Sequence, residues 1–418
     1  MKLNHLGLIG LNFQREKGSG DKNFWVDVIP LLARELKRIT IFSIRKHSTA
    51  EEQYSVNGCN VVIKYVSPAF LETPGVNNGR RIFWKQGVFP SWLGVIEKYI
   101  SMKKICSEMN SYFKEHPCQH IHFMDNMGII NRFIVQKSTH SFTVSAMSYQ
   151  GKSPAFFYNI YLRISYRVKR LVVVPYNDIF NKKLIDIGIN PENTCVIPWG
   201  VSQSNEAETT DEEKTIIMHR FGIPSNRPLI LWSGYIQQIN RKDFLYAYQI
   251  AKKALSHGLK ATFCFAFKPE SFESDFSSLS EPEKGIIVKS TSVDEFQNFK
   301  KCCHVFFTPV LNKKVILAPP LTWIELLSKG VPIVTTPVPG SENIVKPGNT
   351  GFLSWTADGL IHGINQAIIN RSIMKSFCIE TANYEFNVKN SAERYLQLFN
   401  KLYQERVYDV QSAYGISR

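Results

Sequence analysis

The chain has 418 residues, of which 44% are hydrophobic and 20% charged, and a net charge of +15. This length predicts two domains, and this composition excludes large-scale disorder. No apolar run approaches the roughly 20 residues that a membrane-spanning helix needs. The eight cysteines are scattered without a C-x-x-C pair, which favours reduced thiols in a cytoplasmic protein over disulfides or a zinc site.

The positive charge is concentrated in the first half of the sequence. Residues 1–200 hold 26 Lys and Arg against 14 Asp and Glu, a net +12, whereas residues 201–418 hold 24 against 21, a net +3. This asymmetry indicates an anionic partner for the first half, and a surface tuned only for solubility is the alternative. A nucleic-acid partner is not expected, because no helix-turn-helix, zinc or RNP pattern accompanies the charge.

Short β-branched or aromatic runs alternate with helical periods along the whole chain. In the first half the predicted strands are Leu6–Gly10, Ile39–Ile44, Asn60–Val66, Ile121–Met124, Phe142–Ser145, Leu171–Val174 and Cys195–Pro198. In the second half they are Leu229–Gly234, Thr262–Phe267, Ile286–Lys289, Val305–Thr308 and Ile333–Thr336. Apolar spacing predicts helices between them, for example Phe244–Leu255. Such alternation is typical of α/β domains with doubly wound parallel sheets.

The polar, acidic segment 202–214 has no periodic apolar pattern and is predicted to be an interdomain linker. The predicted domains are therefore residues 1–204 and residues 205–380. Residues 381–418 are predicted to form a helical segment that returns to the first domain.

Two stretches of the first domain interleave aromatic residues with Lys and Arg, namely residues 80–104 and residues 156–170. This pattern favours peripheral contact with an anionic membrane, on its cytoplasmic face, or with a lipid-linked acceptor. The alternative is a pair of helices whose aromatic faces belong to the core.

Ligands of open α/β sheets bind at the carboxyl ends of the strands, so the loops there are the candidate sites. Gly18 and Gly20 follow the first strand and precede an amphipathic helix, where backbone N–H groups can approach a phosphate; a plain flexible loop is the alternative. Arg241 and Lys242 follow the strand Leu229–Gly234 and could clamp a diphosphate, unless they are simply a solvated pair.

The stretch LAPPLTWIELLSKGVPIVTTPVPGSENIV, residues 317–345, carries the tightest pattern in the chain. Leu321 and Thr322 begin a short apolar helix whose first N–H groups suit phosphate oxygens. Glu325, one turn later, suits the two adjacent hydroxyls of a ribose. Lys289, at the end of its predicted strand, is assigned to the same donor site. Replacing Glu325 is expected to weaken nucleotide binding and hardly to affect folding.

From Glu325 onward, Glu-Leu-Leu-Ser-Lys-Gly-Val-Pro-Ile-Val resembles the motif of family 4 glycosyltransferases, which are retaining enzymes with the GT-B fold. Gly340-Ser-Glu-Asn-Ile-Val, Gly348-Asn-Thr-Gly-Phe-Leu and Val196-Ile-Pro-Trp-Gly-Val resemble further motifs of that family. Gly18–Gly20 is similar to its N-terminal glycine loop, and His122-Phe-Met-Asp125 to its His-x-His-Asp segment.

The resemblance implies two Rossmann-like domains that face a central cleft, and transfer of a hexose-like sugar from a nucleoside diphosphate donor. The acceptor would be a glycan or a lipid-linked molecule in cell-surface polysaccharide or glycolipid biosynthesis. Arg241 and Lys242 would stabilise the leaving diphosphate, the loop with Gly18 and Gly20 would close over the donor, and His122 and Asp125 would face the acceptor. A structural role for His122 is equally compatible with the sequence.

No cofactor is implied, and the absence of a D-x-D pair counts against a metal-dependent mechanism. The chain also departs from the family: Leu317 replaces its first acid, Tyr235 its Arg, and Ala146-Met-Ser the region of an expected His. A non-catalytic glycosyltransferase-like subunit, or a regulatory protein that binds nucleotide-sugars, is therefore the alternative function.

Overall fold

The structure of the chain is a computed structural model. It describes residues 2–11, 13, 15, 21–44, 51–66, 107–124, 141–146, 155–168, 171–202, 209–234, 241–269, 274–311 and 320–413. The chain divides into two compact units, Met1–Trp199 with Val388–Arg418, and Gly200–Asn387. Within the described ranges, no helix is long and apolar enough to cross a bilayer.

The first unit is built on a seven-stranded sheet in the order β3-β4-β2-β1-β5-β6-β7. Its strands are β1 (His5–Leu11), β2 (Arg38–Ile44), β3 (Glu51–Val56), β4 (Cys59–Val66), β5 (His120–Phe123), β6 (Ser141–Ala146) and β7 (Leu171–Pro175). All neighbours are parallel except β3, which forms an antiparallel hairpin with β4. Without β3, the order is that of a doubly wound sheet, with its topological switch point between β1 and β5.

The helices of the first unit are α1 (Asp21–Leu32), α2 (residues 107–115), α3 (Ala155–Tyr166), α4 (Asp178–Asp186) and α12 (Val388–Ala413). The last of these is formed by the end of the chain and packs on α1. Its Tyr395 ring lies 5.1 Å from Trp25, and Phe399 lies 4.7 Å from His120. These aromatic contacts make α12 part of the core beneath the first sheet.

The second unit has a six-stranded, wholly parallel sheet in the order β10-β9-β8-β11-β12-β13. Its strands are β8 (Leu229–Gly234), β9 (Thr262–Phe267), β10 (Ile286–Ser290), β11 (Val305–Phe307), β12 (Ile333–Thr335) and β13 (Gly351–Leu353). This is again a doubly wound order, and its switch point lies between β8 and β11.

Seven α-helices of the second unit lie within the described residues: α5 (Asp211–Arg220), α6 (Arg241–Ser256), α7 (Val293–Cys302), α8 (Leu321–Leu327), α9 (Ser341–Ile344), α10 (Ala357–Ile369) and α11 (Arg371–Glu385). Helices α6 and α10 contact each other, as do α5 and α7, and α8 and α11. Aromatic side chains dominate the core between β8, β9 and α6, where Phe244 lies 4.9 Å from Phe267 and 5.6 Å from Trp232.

The predicted α/β class with two doubly wound sheets is confirmed, but two local predictions were wrong and two strands were missed. Cys195–Pro198 is no strand, although its Cys195 and Ile197 N–H groups bond to β7. The segment 202–214 contains the start of α5, whose capping box joins Thr210 and Glu213. Strands β3 and β13 were not predicted.

The observed units meet at Trp199 and Gly200, and the chain returns to the first unit at Val388. The sequence placed these transitions a few residues away, at 204/205 and at 380/381. The seven cysteines within the described ranges are free thiols.

Candidate functional site

The switch point of the second sheet is where the order of parallel strands places a ligand site. Two loops leave the sheet there, one after β8 and one after β11. The first leads into α6, which begins at Arg241, and the second leads into α8, which begins at Leu321. The residues predicted for donor binding on these two helices therefore follow the two strands that flank the switch point.

Side-chain hydrogen bonds tie the loops of this edge together. The buried Asp243 carboxylate, in the first turn of α6, accepts a bond of 2.8 Å from the Leu311 N–H after β11. Thr336, after β12, accepts from the Val310 N–H at 2.9 Å, and the Thr335 hydroxyl donates to the Thr308 carbonyl at 2.6 Å. These bonds connect the carboxyl ends of β11 and β12 with the first turn of α6, which fixes the three segments relative to one another.

Arg241 and Lys242 are the first two residues of α6, and both are exposed. The Arg241 guanidinium lies 5.3 Å from the centroid of the buried Phe276 ring. Since α6 has 16 residues, its N-terminus carries the positive end of a substantial helix dipole. The two cations and the helix terminus together make this position attractive to an anion.

Helix α8 begins after Pro320, which cannot provide a side-chain cap, and ends before Gly330, whose φ of +73° favours glycine. Leu321 and Thr322 occupy its first two positions, where backbone N–H groups have no acceptor within the helix. Glu325 lies one turn further on and is partly exposed.

Glu325 forms an ion pair that the sequence analysis did not predict. Its Oε2 lies 2.6 Å from the Nζ of Lys300, on α7, and the Lys300 side chain is only 2% exposed against 23% for Glu325. The ammonium also lies 5.2 Å from the centroid of the Phe296 ring. This pair argues against the expectation that Glu325 contributes little to folding, because its carboxylate lies beside a buried ammonium.

Lys289 lies on β10, where its ammonium is 3.7 Å from the Glu295 carboxylate. The same ammonium is 4.7 Å from the Phe221 ring and 5.5 Å from the Phe299 ring. These contacts give Lys289 a structural role between α5 and α7. Its assignment to the donor site stays a prediction.

His122 lies on β5 in the core of the first unit and is completely buried. Its Nδ1 is hydrogen-bonded to Thr143 Oγ1 at 2.7 Å and its Nε2 to Ser145 Oγ at 3.1 Å. Burial, followed by the neighbouring His120, holds the pKa of His122 well below its usual value, so the ring is neutral. The structural role proposed as the alternative fits this environment, and contact with an acceptor stays a prediction that the geometry does not favour.

Gly18, Gly20 and Asp125 lie outside the described residues, as do Tyr235 and Leu317. Ala146 ends β6 and is buried. Among the residues that the structure describes, no three His, Cys, Asp or Glu side chains group in a way that could hold a metal ion. Two residues that contact the candidate site, Asp243 and Lys300, were missed by the sequence analysis. Asp243 had a local signal, since it immediately follows the cation pair, whereas Lys300 had none.

Two Rossmann-like units in one chain, each with a doubly wound sheet, define the fold of the GT-B glycosyltransferases. A glycosyltransferase from Rickettsia africae matches with a TM-score of 0.66 at 12% identity, over 96% of this chain and 98% of that chain. Anabaena HepE, in complex with UDP, matches with a TM-score of 0.64 at 12% identity, over 96% and 100%. The catalytic domain of starch synthase IV from Arabidopsis thaliana, bound to ADP and acarbose, matches with 0.62 at 9% identity, over 97% and 100%.

At these low identities the likeness establishes the fold. No protein-family model matches the sequence, and no curated protein matches it by sequence.

Proposed function

We propose that this protein is a glycosyltransferase that takes its sugar from a nucleoside diphosphate sugar. The observation that carries the proposal is that two exposed cations and a partly exposed carboxylate follow the two strands at one switch point. Arg241 and Lys242 follow β8, and Glu325 follows β11. Structural neighbours with UDP or ADP in their crystals support a nucleotide as the ligand.

In the proposed reaction the glycosidic bond to the diphosphate breaks, and negative charge develops on the leaving group. The Arg241 guanidinium can bond two phosphate oxygens at once, and Lys242 adds a mobile charge. The N-terminus of α6 contributes its dipole, and the Leu321 and Thr322 amides contribute donors. Glu325 accepts hydrogen bonds from the ribose hydroxyls and so orients the nucleotide.

The finer features of the proposal come from the family 4 resemblance. They are retention at the anomeric carbon, a hexose-like sugar, independence from metal ions and other cofactors, and a role in polysaccharide or glycolipid synthesis. The loop with Gly18 and Gly20 is assigned to the donor, and Asp125 to the acceptor. Lys289 is the weakest of the proposed donor contacts, because its ammonium already lies beside the Glu295 carboxylate.

A lipid-linked or membrane-bound glycan acceptor is supported by the outer face of α3. Phe156 is 70% exposed, Tyr161 and Ile164 are also exposed, and the exposed Arg167 directly follows the helix. The opposite face of α3 is buried through Tyr158, Leu162 and Tyr166. Exposed aromatic and cationic side chains on one helix face suit the interface of an anionic membrane on its cytoplasmic side.

A non-catalytic protein that binds nucleotide-sugars is the second candidate. It is favoured by one observation, the burial of His122 with both ring nitrogens hydrogen-bonded inside the core. In this case the donor site would work as described, without transfer to an acceptor.

Both candidates can be tested with UDP-, ADP- and GDP-linked hexoses in excess EDTA. A donor present at 100 times its Kd stabilises a protein by about 2.7 kcal/mol, which thermal denaturation detects readily. Release of nucleoside diphosphate with retained stereochemistry would support the enzyme. Binding without release supports the second candidate, and no stabilisation by any nucleotide-sugar contradicts both.

A further inference from the structure

Lys300 is the most buried cation that the structure pairs with a residue of the candidate site. Its side chain is 2% exposed, and its Nζ reaches Glu325 Oε2 at 2.6 Å across the contact between α7 and α8. Glu325 itself is 23% exposed. The pair therefore joins an interior charge to a carboxylate at the surface of the proposed nucleotide site.

A buried ammonium loses its hydration and needs a nearby acceptor to remain charged. The Glu325 carboxylate provides one, and the short distance marks a charge-assisted hydrogen bond. A carboxylate offers about four acceptor positions, so a bond to Lys300 leaves capacity for further donors. What the bond removes is the rotational freedom that an exposed glutamate normally has.

We propose that Lys300 is a positioning residue for ribose recognition. It holds the Glu325 carboxylate in one orientation, so that the carboxylate meets the ribose hydroxyls without first losing side-chain entropy. This inference rests on the proposed function, because it assigns Glu325 to a nucleotide. It adds a specificity: a fixed carboxylate discriminates ribose from 2′-deoxyribose, since the deoxy sugar leaves part of a desolvated acceptor unpaired.

The test compares UDP with 2′-deoxy-UDP, and ADP with 2′-deoxy-ADP, by calorimetric titration. The wild-type protein is expected to prefer the ribose form roughly tenfold or more, the scale of one hydrogen bond to a charged group. Lys300→Met should lower this preference severalfold, because it should weaken binding of the ribose nucleotide and hardly affect binding of the deoxyribose nucleotide. Lys301→Met is the matched control, because Lys301 is adjacent on α7 and Glu325 is paired with Lys300; it should retain the wild-type preference.

If Lys300 had a purely structural role, Lys300→Met would weaken binding of both nucleotides equally. An unchanged preference for ribose in the folded variant therefore overturns the proposal. If that variant does not fold, Lys300→Arg serves instead, since it keeps the buried charge. Its planar fork would bond both carboxylate oxygens and should also lower the preference for ribose; a wild-type preference in Lys300→Arg would overturn the inference. A wild-type protein that binds none of the four nucleotides contradicts the proposed function itself, which is a different outcome.

Discussion

The Asp243 carboxylate, in the first turn of α6, accepts a 2.8 Å hydrogen bond from the backbone N–H of Leu311, in the loop after β11. This bond joins the first turn of α6 to the segment that follows β11, two elements that flank the switch point of the second sheet. Asp243 is buried and Leu311 is exposed, so the bond fixes the start of α6 from its buried side.

Replacing Asp243 should therefore affect both stability and nucleotide binding. Asp243→Ala is expected to lower the free energy of unfolding by about 1 kcal/mol, the net contribution of a typical hydrogen bond. Nucleotide affinity should also fall, because Arg241 and Lys242 lose their fixed position. Asp294→Ala is the control, since Asp294 is an exposed acid in the first turn of α7. Urea denaturation measures the free energy of unfolding, and titration measures nucleotide affinity. Equal effects of the two substitutions on both quantities would contradict this role of Asp243.

Glu325→Ala should weaken nucleotide binding by roughly 1.5–3 kcal/mol, as expected for a hydrogen bond to a charged group. It should also lower the free energy of unfolding by about 2 kcal/mol, less than the 3–5 kcal/mol of a fully buried pair because Glu325 is partly exposed. Glu380→Ala, an exposed acid on α11, is the control for both measurements. Nucleotide affinity equal to that of the wild type would remove Glu325 from the site.

The stability of the second unit should depend on pH through His304. Burial, followed by the positive charge of Arg371, lowers the pKa of His304 to about 4, and its Nδ1 accepts from the Leu229 N–H at 3.2 Å. In the unfolded chain the ring binds a proton near pH 6.5, so the unfolded state takes up more protons between pH 6.5 and about 4. The contribution of His304 to stability is thus complete above pH 6.5 and is lost as the pH falls, by roughly 3 kcal/mol once the pH is below 4.

The measurement is urea denaturation at pH 7 and at pH 4.5, for the wild-type protein and for His304→Asn. The asparagine variant should lose less stability between the two pH values. Equal losses in both proteins would show that His304 does not contribute to the pH dependence.

His122→Asn should test whether this histidine acts in catalysis or only in the core. The structure predicts lower stability, because two hydrogen bonds and the contacts with Trp25 and Tyr395 are altered. For the folded fraction, kcat should stay within about twofold of the wild-type value. General acid–base residues typically contribute 100-fold or more, so a loss of that size would restore the catalytic assignment.

Binding to anionic vesicles should depend on the outer face of α3. Phe156→Ser and Arg167→Ser together are expected to reduce binding, because they remove an exposed aromatic ring and about 1 kcal/mol of attraction per cation. Arg163 is left intact, since its Nε donates to the Ile187 carbonyl at 2.7 Å. Tyr384→Ser is the matched control: Tyr384 is 82% exposed but lies on α11 of the second unit. If the wild-type protein does not bind phosphatidylserine vesicles at low salt, an acceptor in solution becomes the better interpretation.

The central strands could be predicted well because buried strands consist mostly of apolar residues, which are recognisable in the sequence. Leu229–Gly234 and Thr262–Phe267 were predicted with their observed bounds, as uninterrupted apolar runs of buried parallel strands should be. Helix α5 was missed because Met218 is its only buried residue, which leaves hardly any periodic apolar signal. Its true signal was the spacing of Thr210 and Glu213, a capping box.

Residues of the candidate site were predictable only where the chemistry follows the chain locally. Arg241 and Lys242 stand next to each other after a strand, and Glu325 stands in an apolar helix. The contact between Glu325 and Lys300 joins two helices that are separated by a strand and a loop, and no short pattern reports such a distant contact. Only the three-dimensional structure shows that the Glu325 side chain is held in place by Lys300.

The aromatic residues of α12 also determine the order in which the newly made chain can finish folding. Trp25 and His120 leave the ribosome well before their partners Tyr395 and Phe399, which follow more than 270 residues later in the chain. The second unit, Gly200–Asn387, is complete before them. The first unit can therefore close only after the second unit has been translated, and until then its incomplete aromatic core is a target for chaperones and for aggregation.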